Sequence, residues 1–425
     1  MTTVRTLFAV IALGLSQLTV AQTHILAGQV LDVTTGRYTS NQLVTIQGSR
    51  IAGISDAAST NLADSAEVLD LSAYTLVPGL IDAHVHLHSD AGQHGYKNLG
   101  VSLPARALLG AVNARKTLEA GFTTVRMVGA PGFADVALRD AINRGDIAGP
   151  RIRAAGPSIG ITGGHCSDNN LLPYDNEEIG AGVADGPWEM RRLVRRNKKF
   201  GADTIKTCST GGVLSKGTEV GAPQGTLEEL TALVEEAHSH GLKVAAHAHG
   251  ASGIRNAINA GVDSIEHASF IDNEGIRLAR KNGTLLVMDI YNTEYILGEG
   301  AKAGILEESL EKERRTGATQ RESFSRAHKA GVRMAFGTDA GVYPHGQNAR
   351  QLSRMVRFGM TPLEALQAAT INGAELLDLD KDVGQINEGY FADFVALKSD
   401  PLKDISTLEE PALVIKGGKV VVRER

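Results

Sequence analysis

Two kinds of hydrophobic patterning divide the chain. Over residues 22–77 and again over 384–425, apolar and polar positions alternate in short runs such as "HILAGQVLDV" and "ALVIKGGKVVV", punctuated by Gly, Asn and Asp. A period of two with that punctuation predicts strands and tight turns. The two ends read alike and bracket a different middle, so they are expected to build one small β-sandwich domain from both termini. Over residues 78–383, strand-like apolar runs alternate with amphipathic helical ones. The strand candidates are "TLVPGLIDAHVHLH", "TTVRMVG", "RIRAAGPSI", "DTIKTCS", "KVAAHAHG", "DSIEHAS", "TLLVMDI" and "VRMAFGTDAG". Helical segments include "LPARALLGAVNARKTLEAG", "TLEELTALVEEAHSHG", "ASGIRNAINAG" and "TPLEALQAATINGAELL".

Local signals sharpen the helix ends. Thr226 and Glu229 form a capping-box pattern, and Thr361-Pro362 reads as an N-cap followed by proline at the first helical position. Gly241 and Gly261 stand where a C-terminal left-handed residue belongs. Eight strands alternating with helices predict an α/β fold, a (β/α)8 TIM barrel. The competing doubly wound sheet would carry a G-x-G-x-x-G turn after its first strand, and the sequence has none there.

Composition adds limits. With 43 basic and 48 acidic residues the net charge is −5, which argues against a nucleic-acid partner. Arg5 precedes an apolar run over residues 7–20, and Thr19-Val20-Ala21 places small residues before Gln22. This predicts a cleaved signal peptide over residues 1–21, a periplasmic or secreted protein, and no membrane association after cleavage. An exported protein could join its two cysteines, Cys166 and Cys208. One pair in a chain of 425 residues is no disulfide framework, so both are expected to be free or structural.

Candidate chemistry gathers at predicted strand ends. In a strand, residues i and i+2 face the same side, so His84 and His86 project together from the end of the first barrel strand. Lys206 interrupts the apolar fourth strand, His247 and His249 end the fifth, His267 the sixth and Asp339 the eighth. Each has a bland reading alone: a half-buried histidine, a snorkelling lysine, an aspartate capping the next helix. In order, one strand end after another, they point to a metal site at the catalytic face of a barrel.

These motifs resemble the amidohydrolase superfamily. "PGLIDAHVHLH", "IKTCSTGGV", "AAHAHG", "SIEHAS", "FGTDAG" and "MTPLEALQAATINGAELL" followed by "GQINEGYFADFVAL" match it in order, over essentially the whole mature chain. "ITGGHC" and "GTDAGVYPHGQNARQL" are typical of the metal-dependent carboxypeptidases and Xaa-Pro dipeptidases related to imidazolonepropionase, near the ochratoxin-hydrolysing enzymes. The resemblance implies two divalent ions, with zinc the expected metal. His84, His86 and Asp339 would hold the first, His247 and His267 the second, and a carbamate on Lys206 would bridge them. His249 shares the strand parity of His247 and stays open as the alternative ligand. Asp339 would move a proton from an activated water to the leaving amine, and His165 would hydrogen-bond the scissile carbonyl.

A substrate carboxylate would need a receiver, and the candidates are Ser209, Gly211, Gly212, Lys216, His249, Tyr291 and His345, with His88 near the rim. The implied activity is hydrolysis of the amide bond of N-acyl amino acids or dipeptides with a free C-terminal carboxylate, a small-molecule reaction that includes ochratoxin-type amides. Cyclic-amide or lactone hydrolysis and a non-catalytic metal-binding barrel are the alternatives. Deamination fits less well, because "HAHGASG" lacks the glutamate that deaminases place after the fifth strand. The resemblance also implies a homo-oligomer, with an octamer among its forms.

Overall fold

The computed structural model describes residues 22–62, 65–176 and 179–423. The expected signal peptide lies outside these residues. The first strands are β1 (Gln22–Asp32), β2 (Arg37–Gln47), β3 (Arg50–Asp56) and β4 (Glu67–Pro78). Strand β1 pairs antiparallel with β2 and parallel with β4, and β2 pairs antiparallel with β3.

Eight parallel strands follow: β5 (Leu80–Val85), β6 (Phe122–Met127), β7 (Arg151–Ala154), β8 (Thr204–Cys208), β9 (Lys243–Ala248), β10 (Ser264–His267), β11 (Leu285–Val287) and β12 (Met334–Ala335). They form two runs, β5-β6-β7 and β8-β9-β10-β11-β12. At the gaps between the runs stand parallel bridges, Ile159 with Thr207 and Val85 with Ala340. Helices cross between them: α1 (Leu103–Glu119), α2 (Ala134–Arg144), α3 (Pro187–Lys199), α4 (Leu227–Ser239), α5 (Ala251–Ala260), α6 (Asn273–Asn282), α7 (Asn292–Ala303) and α8 (Glu307–Lys329). This is the (β/α)8 architecture expected from the strand count. None of the described helices is long and apolar enough to cross a membrane.

Helices α9 (Arg350–Arg357), α10 (Pro362–Ala368) and α11 (Ile371–Leu376) then lead to β13 (Phe394–Leu397), β14 (Leu413–Lys416) and β15 (Lys419–Arg423). The last three strands join the first four in one sheet, in the order β15-β14-β13-β4-β1-β2-β3. Its own core includes Ile25, Val44, Ile46, Leu76, Phe394 and Ile415.

The caps form as read. Thr226 with Glu229 and Thr361 with Glu364 make complete capping boxes. The helix expected across 361–377 breaks into α10 and α11 at Thr370. The carbonyls of Ala368 and Ala369 accept from the amides of Phe336 and Ile81, so they serve the barrel wall. Helix α8 is the least apolar on its inner side: it buries Lys312, Glu313, Thr316, Gln320 and Ser323.

Candidate active site at the strand ends

The two-residue period of β5 places His84 and His86 on one side, and their Nε2 atoms lie 3.3 and 3.2 Å from Asp339 Oδ1. Lys206, His247 and His267 line the same cavity, which encloses about 110 Å³. The ring of His267 is 5.1 Å from that of His84 and 4.5 Å from that of His247. His267 and Asp339 both hold left-handed backbone, with φ of 71° and 55°. Such conformations are costly outside glycine and cluster at functional sites, where surrounding structure fixes them.

Electrostatics favour the neutral form at Lys206, His247 and His249, while the Asp339 carboxylate raises His84. Burial brings the Lys206 amine down to about 8 and pushes His247 and His249 well below the ordinary histidine range. Burial opposes ionisation of Asp339, yet His84 and His86 hold its carboxyl well below the usual carboxylate range.

A layer behind these side chains orients them. His84 Nδ1 is 2.7 Å from Glu266 Oε2, while Arg126 donates to Glu266 Oε1 at 2.8 Å. His267 Nδ1 is 2.8 Å from Asp289 Oδ1, and Asp289 also accepts from Asn292 and Gln320. A carboxylate at Nδ1 turns Nε2 towards the cavity, which is how metal-ligating histidines are held. The donor atoms of His84, His267 and Asp339 lie within 4.8 Å of one another, as do those of His247, His249 and His267. This buried set of imidazoles and a carboxylate, with an amine beside it, fits a divalent cation.

The other expected site residues separate into two groups. His165 and His249 reach the cavity wall. His165 Nδ1 is 2.8 Å from Ser215 Oγ, His249 Nδ1 is 2.7 Å from Ser269 Oγ, and burial pushes His165 down to about 3. Gly212 underlies His165: a Cβ there would meet the ring at 2.3 Å. The carbonyl of Gly211 lies 3.5 Å from His247 Nε2, and the Ser209 hydroxyl donates to the His247 carbonyl. These loop residues support histidines and are not on the cavity wall.

Tyr291, His345, His88 and Lys216 are not brought to that wall either. The Tyr291 hydroxyl accepts from Arg350, because the chain turns into α7 directly after it. His345 bridges Thr117 and the His86 carbonyl. His88 packs 5.8 Å from the His86 ring with its Nδ1 unpartnered. Lys216 reaches outward to the Tyr96 hydroxyl.

Sequence reasoning passed over Arg126, Glu266 and Asp289, although a charged residue inside a buried strand or at its end was the available signal. It left the cysteines open as free or structural. Cys166 and Cys208 form a disulfide, because the loop carrying His165 returns across the end of β8 and brings their Cα atoms to 6.1 Å. A second chamber of about 290 Å³ shares His86, His165, Leu214, Asp339 and Val342 with the first. It adds Ser89, Asp90, Gln93, His94 and Asn98, giving the site a polar outer room.

The sequence profile of the amidohydrolase family matches residues 75–421. The chain belongs to the amidohydrolase family. This amidohydrolase is 37% identical over 370 residues to an ochratoxinase of Aspergillus niger, covering 81% of this chain and 75% of that protein. Among solved structures, a Xaa-Pro dipeptidase with methionine bound in its active site superposes with a TM-score of 0.89 at 40% identity, covering 94% of this chain and 99% of the other. A prolidase complexed with N-methylphosphonate-L-proline gives 0.87 at 30% identity, over 95% and 100% of the two chains. The amidohydrolase is thus a hydrolase with Xaa-Pro dipeptidase and ochratoxinase neighbours, and its histidine and aspartate groups could hold metal.

Proposed function

We propose that this hydrolase is binuclear and metal-dependent, and that it cleaves the amide bond of N-acyl amino acids or dipeptides with a free C-terminal carboxylate. The observation that carries the reading is the convergence of His84, His86 and Asp339 on one point, beside Lys206, His247 and His267 in a single cavity. His84, His86 and Asp339 would hold one ion, and His247 and His267 the other. Lys206 would join them as a carbamate, which its lowered basicity favours, since the neutral amine is the form that adds carbon dioxide. Two divalent ions, with zinc expected, supply Lewis acidity and bring the pKa of a water towards neutrality.

The chain's own groups do the rest. Asp339 accepts the proton of the attacking water and delivers it to the departing amine nitrogen. With Ser215 at Nδ1, His165 keeps Nε2 for the scissile carbonyl oxygen and stabilises its growing negative charge. His249 and the Cys166–Cys208 bridge wall the pocket beside the reacting atoms. A free carboxylate on the substrate is supported by the named ligands of the two dipeptidase relatives, methionine and a proline derivative. The disulfide supports export, since such bonds persist in oxidising compartments.

A panel of N-acyl amino acids and dipeptides tests this reading. The wild-type chain loaded with zinc is expected to release the C-terminal amino acid, and Asp339→Asn to lose turnover at least about a thousandfold while keeping its fold. Retained turnover in that variant would sink the proton-transfer role.

A further inference from the structure

Three carboxyls line the inner cavity, and two are committed. Asp339 stands against His84 and His86, and Asp289 serves His267, Asn292 and Gln320. Glu313 is different. It lies on α8, lines the cavity and is only 5% exposed. The neighbouring cations are engaged elsewhere. Lys312 pairs with Glu308 and donates to the Ser215 carbonyl, and Arg321 donates to the Ile290 carbonyl. No cation among the described residues pairs with Glu313.

The surroundings look built around this carboxyl. Glu313, Thr316 and Gln320 are spaced three and four residues apart, so they share one helix face, and all three line the cavity. Gly317 makes the room: a Cβ there would sit 2.4 Å from Thr293 Cγ2 and 2.8 Å from Glu313 Oε1. Burial, reinforced by the nearby Asp289 carboxylate and only partly offset by the Thr293 hydroxyl and Arg321, pushes the carboxyl up to about 7. A buried carboxylate calls for a charged partner, and the cavity it faces is where one can arrive.

We propose that Glu313 is a specificity residue that receives a cationic nitrogen of the substrate, an ammonium or guanidinium group, through a charge-assisted hydrogen bond. The inference rests on the amide-hydrolase reading above. The cation has two sources there: the free α-ammonium of an unblocked dipeptide, or the side chain of a lysine or arginine residue.

The test compares wild type with Glu313→Gln on four substrates: Ala-Met, N-acetyl-Ala-Met, N-acetyl-Ala-Lys and N-acetyl-Ala-norleucine. Expected is a loss of at least about tenfold in kcat/KM, carried mostly by KM, for the substrate bearing the recognised cation, with its neutral counterpart within about twofold. A loss confined to Ala-Met assigns the α-ammonium; one confined to N-acetyl-Ala-Lys assigns the side chain. An equal loss on all four, or no loss on any, overturns the proposal.

Calorimetric binding of products to the wild-type chain gives a second reading that needs no variant and no turnover. Alanine should bind at least about tenfold tighter than N-acetylalanine, or lysine than norleucine, and equal affinities in both pairs overturn the proposal. If wild type cleaves none of the four, the hydrolase reading fails, and product binding still decides the role of Glu313.

Discussion

Replacing Glu266 with glutamine probes the layer behind the proposed metal ligands. Glu266 is fully buried between two partners: Arg126 reaches Oε1 at 2.8 Å, and His84 Nδ1 lies 2.7 Å from Oε2. Ser264 also donates to Oε1, at 2.5 Å. An amide keeps the shape but has one acceptor and one donor end. Whichever way it turns, its NH2 meets either the Arg126 guanidinium or the His84 Nδ1–H. A buried hydrogen bond to a charged group is worth about 1.5–3 kcal/mol, and an unpaired buried charge costs about 3–5 kcal/mol. Arg126 is 1% exposed and cannot reach water, so the larger figure applies. Glu266→Gln should therefore lower the unfolding free energy of the metal-free protein by roughly 3–5 kcal/mol in urea titrations. It should also weaken metal binding about 10–100-fold, because His84 loses the group that fixes its orientation. The paired change Arg126→Met with Glu266→Gln should recover much of the stability and little of the metal affinity. A single variant within about 0.5 kcal/mol of wild type, with metal affinity within twofold, would refute the reasoning.

Three further outcomes follow from local geometry. Gly212→Ala places a methyl 2.3 Å from the His165 ring, so kcat should fall at least about tenfold while circular dichroism stays native; unchanged kcat would remove His165 from the chemistry. Replacing Cys166 and Cys208 together by serine opens a bridge spanning 42 residues, and the midpoint of urea unfolding should drop with a loss of about 2–4 kcal/mol; an unchanged midpoint would mean the bond does not constrain the chain. Glu313 has a folded pKa raised by burial to about 7 from an ordinary 4.5, so its stabilising contribution is complete below about 4.5 and is lost as pH rises to 7. The stability of metal-free wild type relative to Glu313→Gln should fall by roughly 3 kcal/mol across that window, and a flat difference would contradict it.

The strands and the residues at their ends were legible because both depend on short-range pattern. Alternation alone puts His84 and His86 on one side, and apolar runs bounded by turns mark β5 to β12. Helices α1, α4, α5 and the α10–α11 region were legible from an apolar stripe or a cap. Helix α8 was not, because it turns Glu313, Thr316 and Gln320 inwards and so lacks the apolar period that marks a packed helix. Loop side chains were the least legible. Tyr291 follows a strand as a substrate residue would, yet the turn into α7 sends its hydroxyl to Arg350. The Cys166–Cys208 contact joins segments 42 positions apart, which no local pattern encodes. Glu266 and Arg126 stood in plain view as charges inside buried strands, but their partnership exists only once β6 and β10 share a barrel.

The central claim is a two-metal site held by these strand ends. Its most direct test is the metal content of the purified, zinc-loaded chain, measured by mass spectrometry of the elements alongside a Lys206→Ala variant. The account predicts about two ions per wild-type chain and a clear loss in the variant. One ion or none in wild type, or full occupancy without Lys206, would contradict it.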